Sequence, residues 1–371
     1  MHGLFAGLAT LDIAHAVPTV PDPFRKVTSS AHFLAAGGPA TNAAVTFAAL
    51  DRVAEGEGVD AGSALLCARG RGPLSDLLSE DLLECGVSLL DATGVDGPVD
   101  PSSEDAASGG GGPRVDPALS GIVEHPGGRM VVSSNTRLAV DPDLARRELA
   151  ALIARQGEPD VVLVDGHNPE LADLVLRLGT RNEVGQTLPV GEDPFAEVED
   201  RPDHLRILDG GSWKPWLPPL LGFVDVAVVS ADFHPPVVAE YEGDGVAEFL
   251  AGFGITRVVR TDGGGPIRWW WDGLRGEVCV EEVQDASTLG AGDIFHGALA
   301  WALARGRRRG GGLVAGTRAG AGPLRDVIDV EAVITFAARV ATLSTRSFGT
   351  RAWRGAPELE DLVTAFMRMV D

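Results

Sequence analysis

Short, mostly apolar runs that each spill into a polar turn recur along this chain from Val161 onward. Val161–Val164 ends in Asp165-Gly166-His167-Asn168, Leu205–Leu208 in Asp209-Gly210-Gly211-Ser212, Val224–Val229 in Ser230-Ala231-Asp232-Phe233 and Val258–Arg260 in Thr261-Asp262-Gly263-Gly264-Gly265. Runs this short, apolar on both faces and spaced by helix-length segments, are strands of a parallel sheet covered on both sides. The rhythm begins earlier, with Leu4–Leu11 expected as a buried opening strand, Ser63–Ala68 as a strand and Leu74–Cys85 as a helix. The chain is therefore expected to form an α/β fold: an open, doubly wound, mostly parallel sheet. Ligands collect at the carboxyl ends of strands in such sheets, so Asp12, His167, Lys214, Asp232, Thr261 and Asp293 are expected along one edge.

One stretch interrupts that rhythm with a tighter constraint. In Ser287-Thr288-Leu289-Gly290-Ala291-Gly292-Asp293, two glycines flank an alanine, and Ile294, Phe295, Ala298, Leu299, Ala302 and Leu303 follow at helical spacing. A glycine turn feeding a buried helix gathers unpaired N–H groups at a positive dipole end, which suits an anion such as phosphate. Asp293, in that first turn and kept ionised by the dipole, is placed to act as a base toward an attacking hydroxyl. A lone Asp at a helix start is also an ordinary N-cap.

A second glycine entry, Gly37-Gly38-Pro39-Ala40-Thr41-Asn42-Ala43-Ala44, opens another helix of small residues. Its glycines admit a small ligand to the backbone, and Asn42 offers donor and acceptor to hydroxyls; close helix packing would use the same residues. Asp12 reads equally as a turn former, His167 as a structural histidine and Lys214 as a solvated surface charge. The arginine run Arg305–Arg309 reads as a solvated loop.

Composition removes several function classes. A net charge of −22 over 371 residues disfavours nucleic acid and anionic membrane as partners. Three cysteines without metal-ligand spacing fit a reducing compartment, and no run is long and apolar enough to span a bilayer, so the cytoplasm is the expected location. No GxGxxG follows the first strand, which disfavours a dinucleotide-dependent oxidoreductase. Residues 96–117, with Gly109–Gly112 in a row, and the acidic stretch 180–205 are expected as flexible surface insertions. Gly121–Glu124 and Arg129–Ser133, joined by His125-Pro126-Gly127-Gly128, are expected as a β-hairpin that with residues 13–36 forms a small sheet or lid.

Together these stretches resemble the ribokinase-like, or PfkB-type, carbohydrate kinases from Leu4 to about Gly349. Gly290-Ala291-Gly292-Asp293-Ile294-Phe295-His296-Gly297-Ala298 is similar to the family's C-terminal signature, and Gly37–Ala44 to its N-terminal glycine motif. The resemblance implies one kinase domain over 1–355, with a β lid from 13–36 and 118–138 and a C-terminal helix over 356–371. It implies ATP and Mg²⁺, a small sugar as acceptor, and a homodimer through the lid. Asp293 would be the catalytic base, with Gly290, Ala291 and Gly292 as its anion hole. Asp12, Gly37, Gly38, Asn42 and His167 would bind substrate. Lys214, Thr261, Gly263, Gly265, Ala338 and Thr342 would serve the nucleotide.

The chain departs from the family pattern at Ser287, where an Asp linked to potassium is usual, so potassium activation is open. Pro266 closes the Thr-x-Gly turn, and Asp232 stands where the magnesium-linked Asn-x-x-Glu is missing, with water-mediated metal contact its implied role. These departures also motivate an alternative, a non-catalytic sugar or nucleotide sensor on the same fold.

Overall fold

The computed structural model describes residues 1–56, 62–94, 115–134, 138–180, 202–236, 238, 244–308, 312–314 and 327–370. The first half holds β1 (Gly3–Ala6), β2 (Thr10–Ala16), β3 (Ala31–Gly37), α1 (Pro39–Glu55), β4 (Ser63–Cys67), α2 (Pro73–Glu84), β5 (Val87–Asp91), β6 (Ala118–His125), β7 (Gly128–Ser133), α3 (Pro142–Gln156), β8 (Val161–Val164) and α4 (Pro169–Leu176). The second half holds β9 (Leu205–Gly210), α5 (Pro218–Leu221), β10 (Val226–Ser230), α6 (Gly245–Ala251), β11 (Arg257–Thr261), β12 (Ile267–Trp271), β13 (Leu274–Val278), α7 (Ala291–Arg308), β14 (Gly312–Val314), β15 (Val327–Asp329), α8 (Val330–Ser344) and α9 (Pro357–Val370).

A nine-stranded sheet runs in the order β13-β12-β11-β10-β9-β8-β1-β4-β5. Neighbours from β11 to β5 are parallel, and the β11–β12 and β12–β13 pairs are antiparallel. Side-chain alternation decides which helices cover which face. Phe5, Leu65, Leu163, Ile207 and Val228 enter a core shared with α1, α2, α7, α8 and α9. Their neighbours Leu4, Leu66, Val162, Val164 and Leu208 enter a second core under α3, α4, α5 and α6. The result is the doubly wound α/β architecture expected from the apolar runs.

The first core is the larger one among the described residues. Phe336 of α8 stacks on Phe366 of α9 with ring centroids 4.4 Å apart, and Trp301 of α7 lies against both at 5.5 and 5.8 Å. Such pairs add about 0.5–1.5 kcal/mol each beyond the area they bury. Gly297 lets α7 meet α1 directly: a Cβ there would lie 2.4 Å from the Ala43 carbonyl oxygen.

The opening of the chain differs from expectation. Leu4–Leu11 is two strands in two sheets, because the backbone at Gly7 is drawn against a carboxylate and turned aside. A Cβ on Gly7 would stand 2.1 Å from Asp165 Oδ1. Beyond that break, β2 joins β3, β6 and β7 in a separate four-stranded sheet, with β6 and β7 paired as an antiparallel hairpin from Ser120–Ser133 to His125–Gly128. Asp12 therefore sits inside β2 of the small sheet, not at the end of a central strand. Most of the expected insertions, 96–117 and 180–205, lies outside the described residues. Among the described residues no helix is long and apolar enough to cross a membrane.

Candidate active site

The start of α7 faces the carboxyl ends of β8 and β9. Gly290 holds φ +71°, and a Cβ on it would meet the Thr350 methyl at 2.8 Å, so conformation and space both require glycine. Gly292 is open to solvent, with nothing within 4 Å of where a side chain would begin. The Gly292 and Asp293 N–H groups find no acceptor among the described residues, as the geometry of a first helical turn dictates.

Asp293, half-buried in this turn, accepts a hydrogen bond from Asn42 Nδ2 at 2.9 Å. The expectation that the helix dipole keeps it firmly ionised needs correction. Burial, with the Asp209 carboxylate nearby, pushes its pKa up to about 6 against the opposing hydrogen bond from Asn42 and the charge of His296. His296 lies one turn further along α7, its Nδ1 2.7 Å from Asp209 Oδ2 at the end of β9. Burial works against the imidazolium, but the Asp209 charge and hydrogen bond and the Asp293 charge outweigh it, so His296 titrates above its ordinary range.

The ligand atoms of Asp209, Asp293 and His296 lie within 4.8 Å of one another. Two ligands of one tetrahedral or octahedral ion, at metal distances of about 2.0–2.2 Å, stand roughly 3 Å apart or more. At 2.7 Å, Asp209 Oδ2 and His296 Nδ1 stand closer than that and form a buried ion pair beside Asp293.

Next to this group, at the end of β8, Asp165 is fully buried and accepts from the N–H groups of Leu8 at 2.8 Å, Ala40 at 3.3 Å and His167 at 2.8 Å. Burial would raise its pKa, yet those hydrogen bonds and the charge of His167 hold it below the usual carboxylate range. His167 shifts the opposite way: burial disfavours its charge, and Asp165 more than restores it. A cavity of about 20 Å³ beside His167 is bounded by Gly7, Ala68, Ala118, Leu138 and Asn168.

The small sheet brings Asp12 to the same region. Its carboxylate accepts from Thr10 Oγ1 at 2.6 Å and lies over Gly37, where a Cβ would be 1.9 Å from Asp12 Oδ2. Burial raises its pKa against Thr10, Arg351 and Ser120. Gly38, at φ +99°, passes 2.3 Å (as Cβ) from the Leu8 carbonyl oxygen and leads into α1, which presents Asn42. Ser287 donates to Glu124 Oε2 of β6 at 2.7 Å, tying the small sheet to the segment that enters the glycine turn.

The remaining expected site residues are more spread out. Lys214 follows β9 and is buried, its ammonium donating to the Ser212 carbonyl at 3.3 Å, and its charge reaches His167. Thr261 ends β11, and the turn Asp262–Gly265 beyond it closes through Gly265 N–H to Asp262 O, with Gly263 at φ +52°. Ala338 and Thr342 lie on α8; Thr342 borders a recess of about 410 Å³ with Leu343, Arg346, Glu281, Glu358 and Leu362. Asp232 is exposed on the turn after β10, outside the Asp209–Asp293–His296 group.

Sequence reasoning did not single out Asp209, His296, Asp165, Glu124 or Arg351. A signal existed for three of them: Asp165 and Asp209 end apolar strands, and His296 is three residues past Asp293 on one helix. Arg351 and Glu124 carry no local signal.

No family model and no curated protein sequence matches the chain. Solved structures do. A provisionally named ribokinase of Agrobacterium tumefaciens is 24% identical with a TM-score of 0.63, covering 99% of this chain and 98% of its own. A Giardia lamblia ribokinase is 14% identical with a TM-score of 0.67, covering 97% and 98%. An Arabidopsis thaliana ribokinase solved with ribose and ATP is 14% identical with a TM-score of 0.61, covering 98% of both. Over nearly its whole length, then, the chain is similar to these structures, and it has the fold of the ribokinase-like carbohydrate kinases.

Proposed function

We propose that this chain transfers the γ-phosphoryl group of ATP to a hydroxyl, in particular a hydroxymethyl, of a small sugar. The observation that carries this reading is Asp293: a half-buried carboxylate with a pKa near 6, beside unpaired N–H groups at a helix start. A base whose pKa lies near neutral pH is well matched to taking a proton from a hydroxyl. In this reading Asp293 takes that proton while the N–H groups of Gly290, Ala291 and Gly292 receive charge from the transferring group. Asp12, Gly37, Gly38, Asn42 and His167 surround the sugar.

Lys214 supplies a point charge to phosphate, Thr261, Gly263 and Gly265 shape the phosphate turn, and Ala338 and Thr342 flank the base of ATP. Mg²⁺ accompanies the phosphates as charge neutraliser; Asp232 offers the hard oxygen it takes, through water. An ATP-dependent reaction of this kind belongs in the cytoplasm, and neither nucleic acid nor membrane has a place in it.

The outer face of the small sheet supports dimerisation through it. Leu34, Ile13, Gly121 and Val132 fall in one row across β3, β2, β6 and β7, and Ile13, Leu34, Met130 and Val132 are 44%, 46%, 52% and 68% exposed. A second copy of the same face would cover this apolar strip. Light scattering at micromolar concentration should give twice the chain mass, and Ile13→Asp should return a monomer.

The test of the activity is ADP release from Mg-ATP over a panel of aldoses, ketoses, deoxy sugars and nucleosides, with and without potassium. Turnover on one or two acceptors, absent in Asp293→Asn, supports the assignment, and the potassium comparison reports on Ser287. ATP binding with no turnover on any acceptor would instead support the sensor.

A further inference from the structure

The loop after α8 carries a side chain with an unusual number of partners in the site. Arg351 donates to Asn42 Oδ1 at 3.1 Å, Thr350 Oγ1 at 2.9 Å, the Thr350 carbonyl at 3.3 Å, Asp81 Oδ2 of α2 at 2.8 Å and the Ala36 carbonyl of β3. Asp81 also accepts from the Ala36 N–H at 3.0 Å, so the guanidinium is anchored from behind. The amide of Asn42 then has no freedom of orientation. A guanidinium only donates, so the Asn42 oxygen must face Arg351 and its NH₂ must face Asp293. That NH₂ donates to Asp293 Oδ2, so Oδ1 is the oxygen that Asn42 does not hold.

We propose that Arg351 is a positioning residue for phosphoryl transfer, holding the Asn42 amide so that its donor, and never its oxygen, meets the Asp293 base. This rests on the kinase reading for its consequence but not for its geometry. Without Arg351, Asn42 can turn its oxygen to Asp293, and an acceptor at that place favours the protonated acid. The other charged groups around Asp293 are Asp209 at the end of β9, His296 on α7 and Asp165 at the end of β8; Arg351 acts on it through Asn42. Among them Asp209 and Asp165 raise its proton affinity, and the Asn42 donor and the His296 charge oppose them.

The experiment uses the full chain labelled with [4-¹³C]aspartate, the Asp293 carboxyl signal being assigned by its loss in Asp293→Asn. In Arg351→Met the titration midpoint of that signal should move up by about half to one pH unit. Arg351→Lys, which keeps one donor, should restore part of the shift. With an acceptor sugar in hand, kcat should fall roughly 10- to 100-fold with sugar KM changed less than threefold, and the acid limb of kcat/KM should move with the NMR midpoint. A folded Arg351→Met whose Asp293 midpoint is unmoved overturns the proposal. If Arg351→Met does not fold, an unmoved midpoint in both Arg351→Lys and Asp81→Asn overturns it. The titration needs no sugar, so a shifted midpoint in a protein that phosphorylates nothing would sustain Arg351 and refute the kinase reading instead.

Discussion

Two neighbouring carboxylates, the fully buried Asp165 after β8 and the half-buried Asp293 at the start of α7, have opposite fates. Asp165 accepts three backbone N–H bonds and a histidine contact, and stays ionised below the usual carboxylate range despite full burial. Asp293 has one side-chain donor and a like charge close by, and rises to about 6. Desolvation raises the proton affinity of both; the supply of donors separates them. Asp165 is a knot that fastens the β1–β2 turn to the start of α1. Asp293 is left with proton affinity to use.

Breaking each member in turn tests the contrast. Asp293→Asn should lower turnover by about 10²- to 10⁴-fold with nucleotide binding and far-UV circular dichroism retained, as measured by steady-state kinetics and calorimetry. Asp165→Ala should act on stability instead, costing about 3 kcal/mol because three buried N–H groups lose their acceptor, read from urea denaturation. Were Asp165→Ala as stable as the parent, the knot would be an accident of packing.

The stability effect of Asp293→Asn should have the reverse sign. Its folded pKa lies above the unfolded 3.8, so the folded protein binds the extra proton between about pH 4 and 6 and loses that advantage as pH rises. Removing the carboxylate should therefore raise Tm by about 2–4 °C at pH 7.5 and leave it unchanged at pH 4. The smallest effect belongs to Asp209→Asn. With the like charge gone, the acid limb of kcat/KM, set by Asp293 near pH 6, should move down by about half a unit or less, since His296 loses its partner and part of its own charge. A limb moving upward would mean that His296, not Asp209, governs the base.

The two glycine entries show how far the sequence reaches. Gly290–Asp293 was legible because everything it needs is local: a residue free to take positive φ, then apolar spacing of one helix. Gly37 was legible as a glycine but not for its reason, the Asp12 carboxylate lying over it from another strand. Asp12 itself was misplaced, since a continuous apolar run hides a change of sheet; the glycine at position 7 was the only local sign.

The sequence by itself determined the alternation of strands and helices, the doubly wound sheet and the helix start that carries Asp293, all properties of neighbours along the chain. Only the tertiary structure decided what that Asp meets. Asn42 reaches it from 251 residues away and Arg351 reaches Asn42 from 309. Those partners, with Asp209 and His296, set its proton affinity, because charge and hydrogen bonding act through space and leave no period in the sequence to read.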